Sequence, residues 1–391
     1  MRQKRIAILG STGSVGTQAL QVVERHEDRL QVVGLAAGGN VDALAHQVQR
    51  WRPQVVSLAS EADARALRRR SGSNSTRVVW GEQGLRQVTL HPDIDLVLNA
   101  VVGAAGLPAT YDAVVAGKTV GLANKESMVM AGELIMEACR HSGAIVLPVD
   151  SEPNALHQCL RGTRSADVRR LILTASGGPF LGWPAERLST VTPEEALRHP
   201  TWQMGRRISI DSATMMNKGF EIIESHWLFR VPAEAIDVVI HPQSVVHSLV
   251  EFVDGSLIAQ AGPTDMRLPI QDAFSYPDRW QPVAELLELP RSSPWTFQPT
   301  DSKQYPALGL AREALAIGGT APATINAADE VAVEAFLRGE LRFDQITAVV
   351  AAVLANQPVQ QAASIDEVCR ADATARRAAR AQVSSICVSN S

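Results

Sequence analysis

Over the first 149 residues, short apolar runs alternate with longer stretches in which apolar residues recur every three or four positions. The runs occupy 5–9, 30–36, 55–58, 77–80, 96–101, 119–123 and 144–149. Runs this short, bounded by turn residues, read as buried strands, and the three-to-four spacing reads as amphipathic helix. Strands separated by helices imply a parallel, doubly wound α/β sheet, so 1–149 is read as a Rossmann-like domain. Ligands of such sheets sit at the carboxyl ends of strands. Gly10 to Gly16, Gly38 to Asn40, Asn124 to Glu126 and Asp150 to Glu152 all fall there.

Beyond residue 150 the pattern changes to α+β. A helix is expected after Asn154, a strand over 169–175, and a hairpin pairing 243–252 with 256–261 across Asp254-Gly255. The resulting catalytic domain is placed at 150–275. Residues 276–303 are rich in Pro, Ser and Trp without periodicity and read as a linker. Helical patterns then repeat over 308–317, 321–338, 343–355 and 364–383, giving a C-terminal α-helical domain at 304–391. The stretch 196–206 reads as a loop, yet it carries Trp202 and Met204. A mobile lid over substrate explains this, as does packing onto a neighbouring domain.

Composition narrows the class. At 391 residues, 46% hydrophobic and 20% charged, the chain is globular and spans more than one domain. A net charge of −4 gives no electrostatic reason to expect nucleic acid, and no segment is apolar enough to span a membrane. Cys139, Cys159, Cys369 and Cys387 are far apart without a CxxC pair, and the chain enters its first strand at once. A cytoplasmic protein is expected. Its five lysines are Lys4, Lys118, Lys125, Lys218 and Lys303, of which Lys125 and Lys218 lie in polar motifs.

Three sets of residues carry candidate chemistry. Gly10-Ser11-Thr12-Gly13-Ser14-Val15-Gly16 follows a strand and opens a helix, so it offers backbone N–H groups to a pyrophosphate; a tight turn without ligand is the plainer alternative. No acid occupies 36–40 to receive a ribose 2′-hydroxyl, which tilts the choice toward NADP. Asp150 and Glu152 flank Ser151 at a strand end, where hard oxygens suit Mg²⁺ or Mn²⁺ and helix capping is the alternative. Glu221 is a candidate third ligand, with Glu224 its competitor one turn on. Ser176, Ser212, Asn217 and Lys218 together would make a phosphate cup, the run Asp211 to Glu221 being read as a strand-to-helix junction. His199, His241 and His247 lack metal-ligand spacing.

In these runs, and in Leu122-Ala123-Asn124-Lys125-Glu126-Ser127, Pro148 to Asn154, Ala175 to Phe180, Arg198 to Gly205, Asp211 to Glu221 and His241 to Ser248, the chain resembles the 1-deoxy-D-xylulose 5-phosphate reductoisomerases along essentially its whole length. The resemblance implies a homodimer whose central domain carries the dimer interface. It implies metal ligands Asp150, Glu152 and Glu221, and phosphate contacts Ser176, Ser212, Asn217 and Lys218. Lys125 and Ser151 would touch the substrate backbone, with His199, Trp202 and Met204 on the mobile loop and His247 close by. Lys125, Asp150, Glu152, His199 and Glu221 are the catalytic candidates. Cofactor contacts would fall on Ser11, Thr12, Gly13, Ser14, Val15, Gly38, Gly39, Asn40, Ala100 or Val101, Asn124, Glu126, Gly205 and Met266. The family often has a basic residue at the position of Gly39, so a weaker preference for NADPH is expected here.

The activity so implied starts from 1-deoxy-D-xylulose 5-phosphate. A Mn²⁺ or Mg²⁺ ion, with Co²⁺ an alternative, chelates the substrate's ketone and a neighbouring hydroxyl. Retro-aldol cleavage and re-addition give a branched aldehyde, which NADPH reduces to 2-C-methyl-D-erythritol 4-phosphate. A semialdehyde dehydrogenase shares the glycine loop but needs a nucleophilic Cys paired with His. A non-catalytic NADP sensor would not need three carboxylates and a phosphate cup.

Overall fold

The computed structural model describes residues 2–71, 75–202, 204–292 and 294–390, which form two compact units. The first comprises Met1–Asn124, Ile135–Asn154 and Asp265–Leu286. Its strands are β1 (Lys4–Leu9), β2 (Leu30–Ala36), β3 (Val55–Leu58), β4 (Arg77–Trp80), β5 (Leu96–Asn99), β6 (Thr119–Leu122) and β7 (Val146–Pro148). They form a parallel sheet in the order β4-β3-β2-β1-β5-β6-β7. The order reverses at β1, and the glycine turn after β1 opens beside that reversal, where doubly wound sheets place their ligands. β1 and β5 are buried on both faces, so their sequences read as continuous apolar runs rather than alternating ones.

Residues 265–286 return to this unit. The helix Arg267–Ser275 buries Ile270, Ala273 and Phe274 with Ile6, Leu98 and Leu147. The Lys4 ammonium donates to the Phe274 carbonyl at 2.7 Å and ties β1 to that helix.

The second unit comprises Lys125–Leu134, Ala155–Thr264 and Leu287–Ser391. Its sheet joins β8 (Val168–Ala175), β9 (Ile236–Ile240), β10 (Val246–Phe252), β11 (Leu257–Ala261) and β12 (Gln298–Pro299) in the order β11-β10-β8-β9-β12. β10 and β11 form the expected antiparallel hairpin, while β9, unanticipated from the sequence, runs parallel to β8. The helices Pro306–Ile317, Ala321–Leu337, Phe343–Asn356 and Ile365–Asn390 match the C-terminal periodicity. Their alanine-rich faces join Phe180, Ile210, Phe220 and Ile223 in one core. Among the described residues no helix is long and apolar enough to cross a membrane.

Two local expectations are corrected. The helix after β7 begins at Ser151, not beyond Asn154. Asn154 is buried and donates to the Pro148 carbonyl and the Asp272 carboxylate, so it anchors the helix rather than preceding it. The run Asp211 to Glu221 is a helix-to-helix junction rather than a strand-to-helix one. The helix Arg206–Thr214 ends at Met215, whose φ of 64° turns the chain into the helix Met216–Phe229. Ile210, Ala213, Met216, Phe220 and Ile223 keep the three-to-four spacing across the break, and all face one core.

Candidate active site

In the first unit, Gly10 has a φ of 81°, and a Cβ there would lie 2.5 Å from the Ala100 carbonyl oxygen. A Cβ on Gly16 would lie 2.2 Å from the Gly10 carbonyl oxygen, so glycine is required at both positions for the tight turn. Gly13 stands at the N-cap of the helix Ser14–Arg25 without a side-chain cap bond. The first turn holds no acid, leaving its backbone donors and positive dipole end to an anion. Gly13 and Ser14 are exposed, Thr12 and Val15 half-buried. Ser11 is buried and donates to Gln47 at 2.7 Å, so its hydroxyl supports the turn from within.

Gly38, Gly39 and Asn40 are exposed after β2. Asn40 caps the helix Val41–Trp51, accepting from Ala43 N–H at 3.1 Å. Gly39 lies outside the left-handed region, and a Cβ on it would stand 3.8 Å from an Asp63 carboxylate oxygen. The sequence pattern gave no sign of this acid, because Asp63 arrives on the next helix, Glu61–Ser71.

Asn99, at the end of β5, was also missed. Its amide donates to the Gly106 carbonyl at 2.9 Å and to Thr110 at 2.8 Å, and its oxygen accepts from Val101 N–H, shaping the loop at Ala100 and Val101. A buried polar residue closing an apolar strand was the available signal. Asn124 is buried and donates to the Gly103 carbonyl at 3.0 Å. Met266 packs on the apolar core of this unit. Asp150, Ser151 and Glu152 lie where β7 meets its helix, with the Ser151 hydroxyl donating to Glu152 at 2.6 Å.

In the second unit the side chains converge on Glu221, which is fully buried. Lys125 Nζ donates to Glu221 Oε1 at 3.1 Å and to Asn217 Oδ1 at 2.6 Å. Asn217 Nδ2 also reaches Oε1, at 2.6 Å, and Lys218 Nζ donates to Oε2 at 2.5 Å. The i, i+3 and i, i+4 spacings from Lys218 and Asn217 place all three on one face of the helix Met216–Phe229. Burying two ammonium groups is costly unless an anion faces them, and Glu221 meets that requirement. Glu224 is equally buried one turn on.

Ser176 directly follows β8, and after it come Gly177 and Gly178 at φ 86° and 70°. A Cβ on Gly178 would sit 3.1 Å from the Ala213 Cα and 3.2 Å from the Ser212 carbonyl oxygen, so glycine lets this loop close onto the helix carrying Ser212. His199 bridges the two serines, its Nε2 being 3.0 Å from Ser176 Oγ and 3.1 Å from Ser212 Oγ. Its Nδ1 accepts from the N–H groups of Trp202 and Thr201 at 2.9 and 3.3 Å. An accepting Nδ1 places the ring proton on Nε2, which therefore donates toward the serines. Trp202 is half-buried, its ring 6.2 Å from the buried His247 ring. Gly205 caps the helix Arg206–Thr214. His241 is structural: it stacks on Phe297, and its Nε2 accepts from Val245 and Val246. Glu126 accepts from Arg207 at 3.1 Å.

Family profiles match three stretches of the chain. The 1-deoxy-D-xylulose 5-phosphate reductoisomerase profile matches residues 6–132, and that of its C-terminal domain residues 146–229. A further DXP reductoisomerase C-terminal domain matches 261–378. The chain is 52% identical over 380 residues to the 1-deoxy-D-xylulose 5-phosphate reductoisomerase of Anaeromyxobacter dehalogenans, covering 97% of each chain. It is 50% identical to that of Symbiobacterium thermophilum, over 97% of this chain and 99% of the relative. The Zymomonas mobilis enzyme solved with NADPH superposes with a TM-score of 0.92 at 41% identity, over 98% and 99% of the two chains. A DOX-P reductoisomerase solved with NADPH, fosmidomycin and magnesium gives 0.91 at 36% identity, over 97% and 98%. The chain belongs to the 1-deoxy-D-xylulose 5-phosphate reductoisomerase family.

Proposed function

We propose that this protein catalyses the NADPH-dependent, divalent-metal-dependent conversion of 1-deoxy-D-xylulose 5-phosphate to 2-C-methyl-D-erythritol 4-phosphate in isoprenoid biosynthesis. The observation that carries the reading is the buried convergence of Lys125, Asn217 and Lys218 on Glu221, a polar cluster that a fold has no need to bury for stability alone. Asp150, Glu152 and Glu221 are a set of hard carboxylate oxygens of the kind Mg²⁺ and Mn²⁺ take. The Gly10 to Gly16 turn and the uncapped helix after it suit the pyrophosphate of NADPH. When bound, the cation acts as a Lewis acid on the substrate's ketone and adjacent hydroxyl, and NADPH supplies the hydride.

The chain's own residues bind and orient. Ser176, Ser212, Asn217 and Lys218 hold the phosphate, and His199 adds its Nε2 proton there. Lys125 and Ser151 face the substrate backbone, with Lys125 aimed by Asn217 and Glu221. Phosphate binding, remote from the breaking carbon–carbon bond, supplies energy for alignment. Trp202 and Met204 exclude water from the reacting carbons. Thr12, Gly13, Ser14, Val15, Gly38, Gly39, Asn40, Asn124, Glu126, Gly205 and Met266 take the cofactor.

A semialdehyde dehydrogenase is disfavoured by its nucleophile requirement. Burial pushes the Cys139 thiol up, opposite to what a nucleophile needs. The reading extends to a cytoplasmic homodimer. β11 is a sheet edge with Leu257 54% and Ile258 46% exposed, which suits strand pairing with a second copy.

The test is substrate-dependent loss of nicotinamide absorbance with Mg²⁺ or Mn²⁺, and identification of the product by NMR. NADPH binding without turnover of deoxyxylulose phosphate would refute the reading.

A further inference from the structure

Arg207 itself has no part in the steps above, and of the groups around it only Glu126 does. Arg207 lies in the first turn of the helix Arg206–Thr214, and its side chain is only 16% exposed. One terminal nitrogen donates to Glu126 at 3.1 Å and lies 2.9 Å from Glu330. The other donates to Asn326 at 3.1 Å and Asp329 at 3.3 Å, and Nε is 3.4 Å from Asp211. Asn326, Asp329 and Glu330 lie on the helix Ala321–Leu337. Glu330 also pairs with Arg376 at 2.8 Å, which holds Asp372 at 2.7 Å.

The cluster thus sets five carboxyl groups against two guanidinium groups. Burial pushes the Asp211 and Asp329 carboxyls up, which favours their protonated forms and so lessens the excess negative charge. Packing alone does not call for such a cluster, since apolar residues of similar volume would do as well or better. What it joins is specific. Glu126 directly follows Lys125, and Asp211 directly precedes Ser212.

We propose that Arg207 is a positioning residue for the reaction: by joining Glu126 and Asp211 to the helix Ala321–Leu337, its guanidinium sets where Lys125 and Ser212 stand. This rests on the functional reading above. A shift of about 1 Å in a reacting group can cost about a hundredfold in rate, so a clamp outside the substrate's reach has leverage on catalysis.

Arg207→Gln alone strands buried carboxylates and cannot separate folding from positioning. The deciding variant is Arg207→Gln combined with Asp211→Asn and Asp329→Asn, which removes the clamp and the charges it compensates together. Its melting temperature is expected near that of wild type, with kcat at saturating substrate lower by about tenfold or more. A folded triple variant with wild-type kcat overturns the proposal and makes Arg207 structural only. If the triple variant does not fold, Asp329→Asn decides. It should lower kcat several-fold without lowering the melting temperature at about pH 7, and a wild-type kcat there overturns the proposal. Failure of the wild-type protein to turn over deoxyxylulose phosphate would instead sink the functional reading.

Discussion

Replacing Asp329 with Asn removes a titrating group from a site where burial, the largest influence, raises its carboxyl from 3.8 to about 6. Its neighbour Asp211 is also raised, again first by burial and then by the Asp329 charge. A carboxyl with a raised folded-state pKa binds more protons folded than unfolded between the two values. The stabilisation is therefore complete below the unfolded value and is lost as pH rises through the folded one. For Asp329 that window runs from 3.8 to about 6, and it is worth about 3 kcal/mol at 1.36 kcal/mol per unit. For a unit of this size it corresponds to roughly 6–12 °C in melting temperature. Melting temperatures of wild type and Asp329→Asn, followed by circular dichroism from about pH 4 to about pH 7, measure it. Wild type should lose stability relative to the variant across that range, because Asn carries no proton to lose. Parallel curves would show that the Asp329 carboxyl is not raised in the folded protein.

Glu221→Gln should abolish turnover with NADPH binding retained, measured by fluorescence titration; activity surviving there but lost in Glu224→Gln would move the third ligand one turn along the helix. Lys218→Ala should lower kcat/KM by roughly ten- to a hundredfold, since a charge-assisted contact contributes about 1.5–3 kcal/mol, and an unchanged KM for substrate would make Lys218 structural. Asp63→Asn should raise the NADPH/NADH ratio of kcat/KM, because it removes the carboxylate beside Gly39 where the 2′-phosphate is expected. Gly39→Arg should raise the ratio further in the Asp63→Asn background than alone, since Asp63 competes for the new guanidinium. An identical ratio in all of these proteins would place the adenosine end elsewhere.

The parallel sheet was legible because both-face burial writes itself as continuous apolar runs, and β1 through β7 need no partner from distant sequence to be recognised. The placing of Asp150 and Glu152 at a strand end, and the glycine turn after β1, followed from the same local pattern. The C-terminal helices were equally legible, since their spacing is a property of each helix alone. The break at Met215 that divides 206–229 into two helices leaves the apolar spacing intact, so that spacing does not show it. Other features depended on groups far apart in the chain. Residues 265–286 rejoin the first unit through Phe274 and the Lys4 bond, contacts across some 270 positions. Asp63 meets Gly39, and Arg207 meets Asp329, only once helices from separate segments are packed. Hydrophobic periodicity is local and survives in one dimension. The pairing of buried charges depends on which elements exclude water together, and tertiary packing alone decides that.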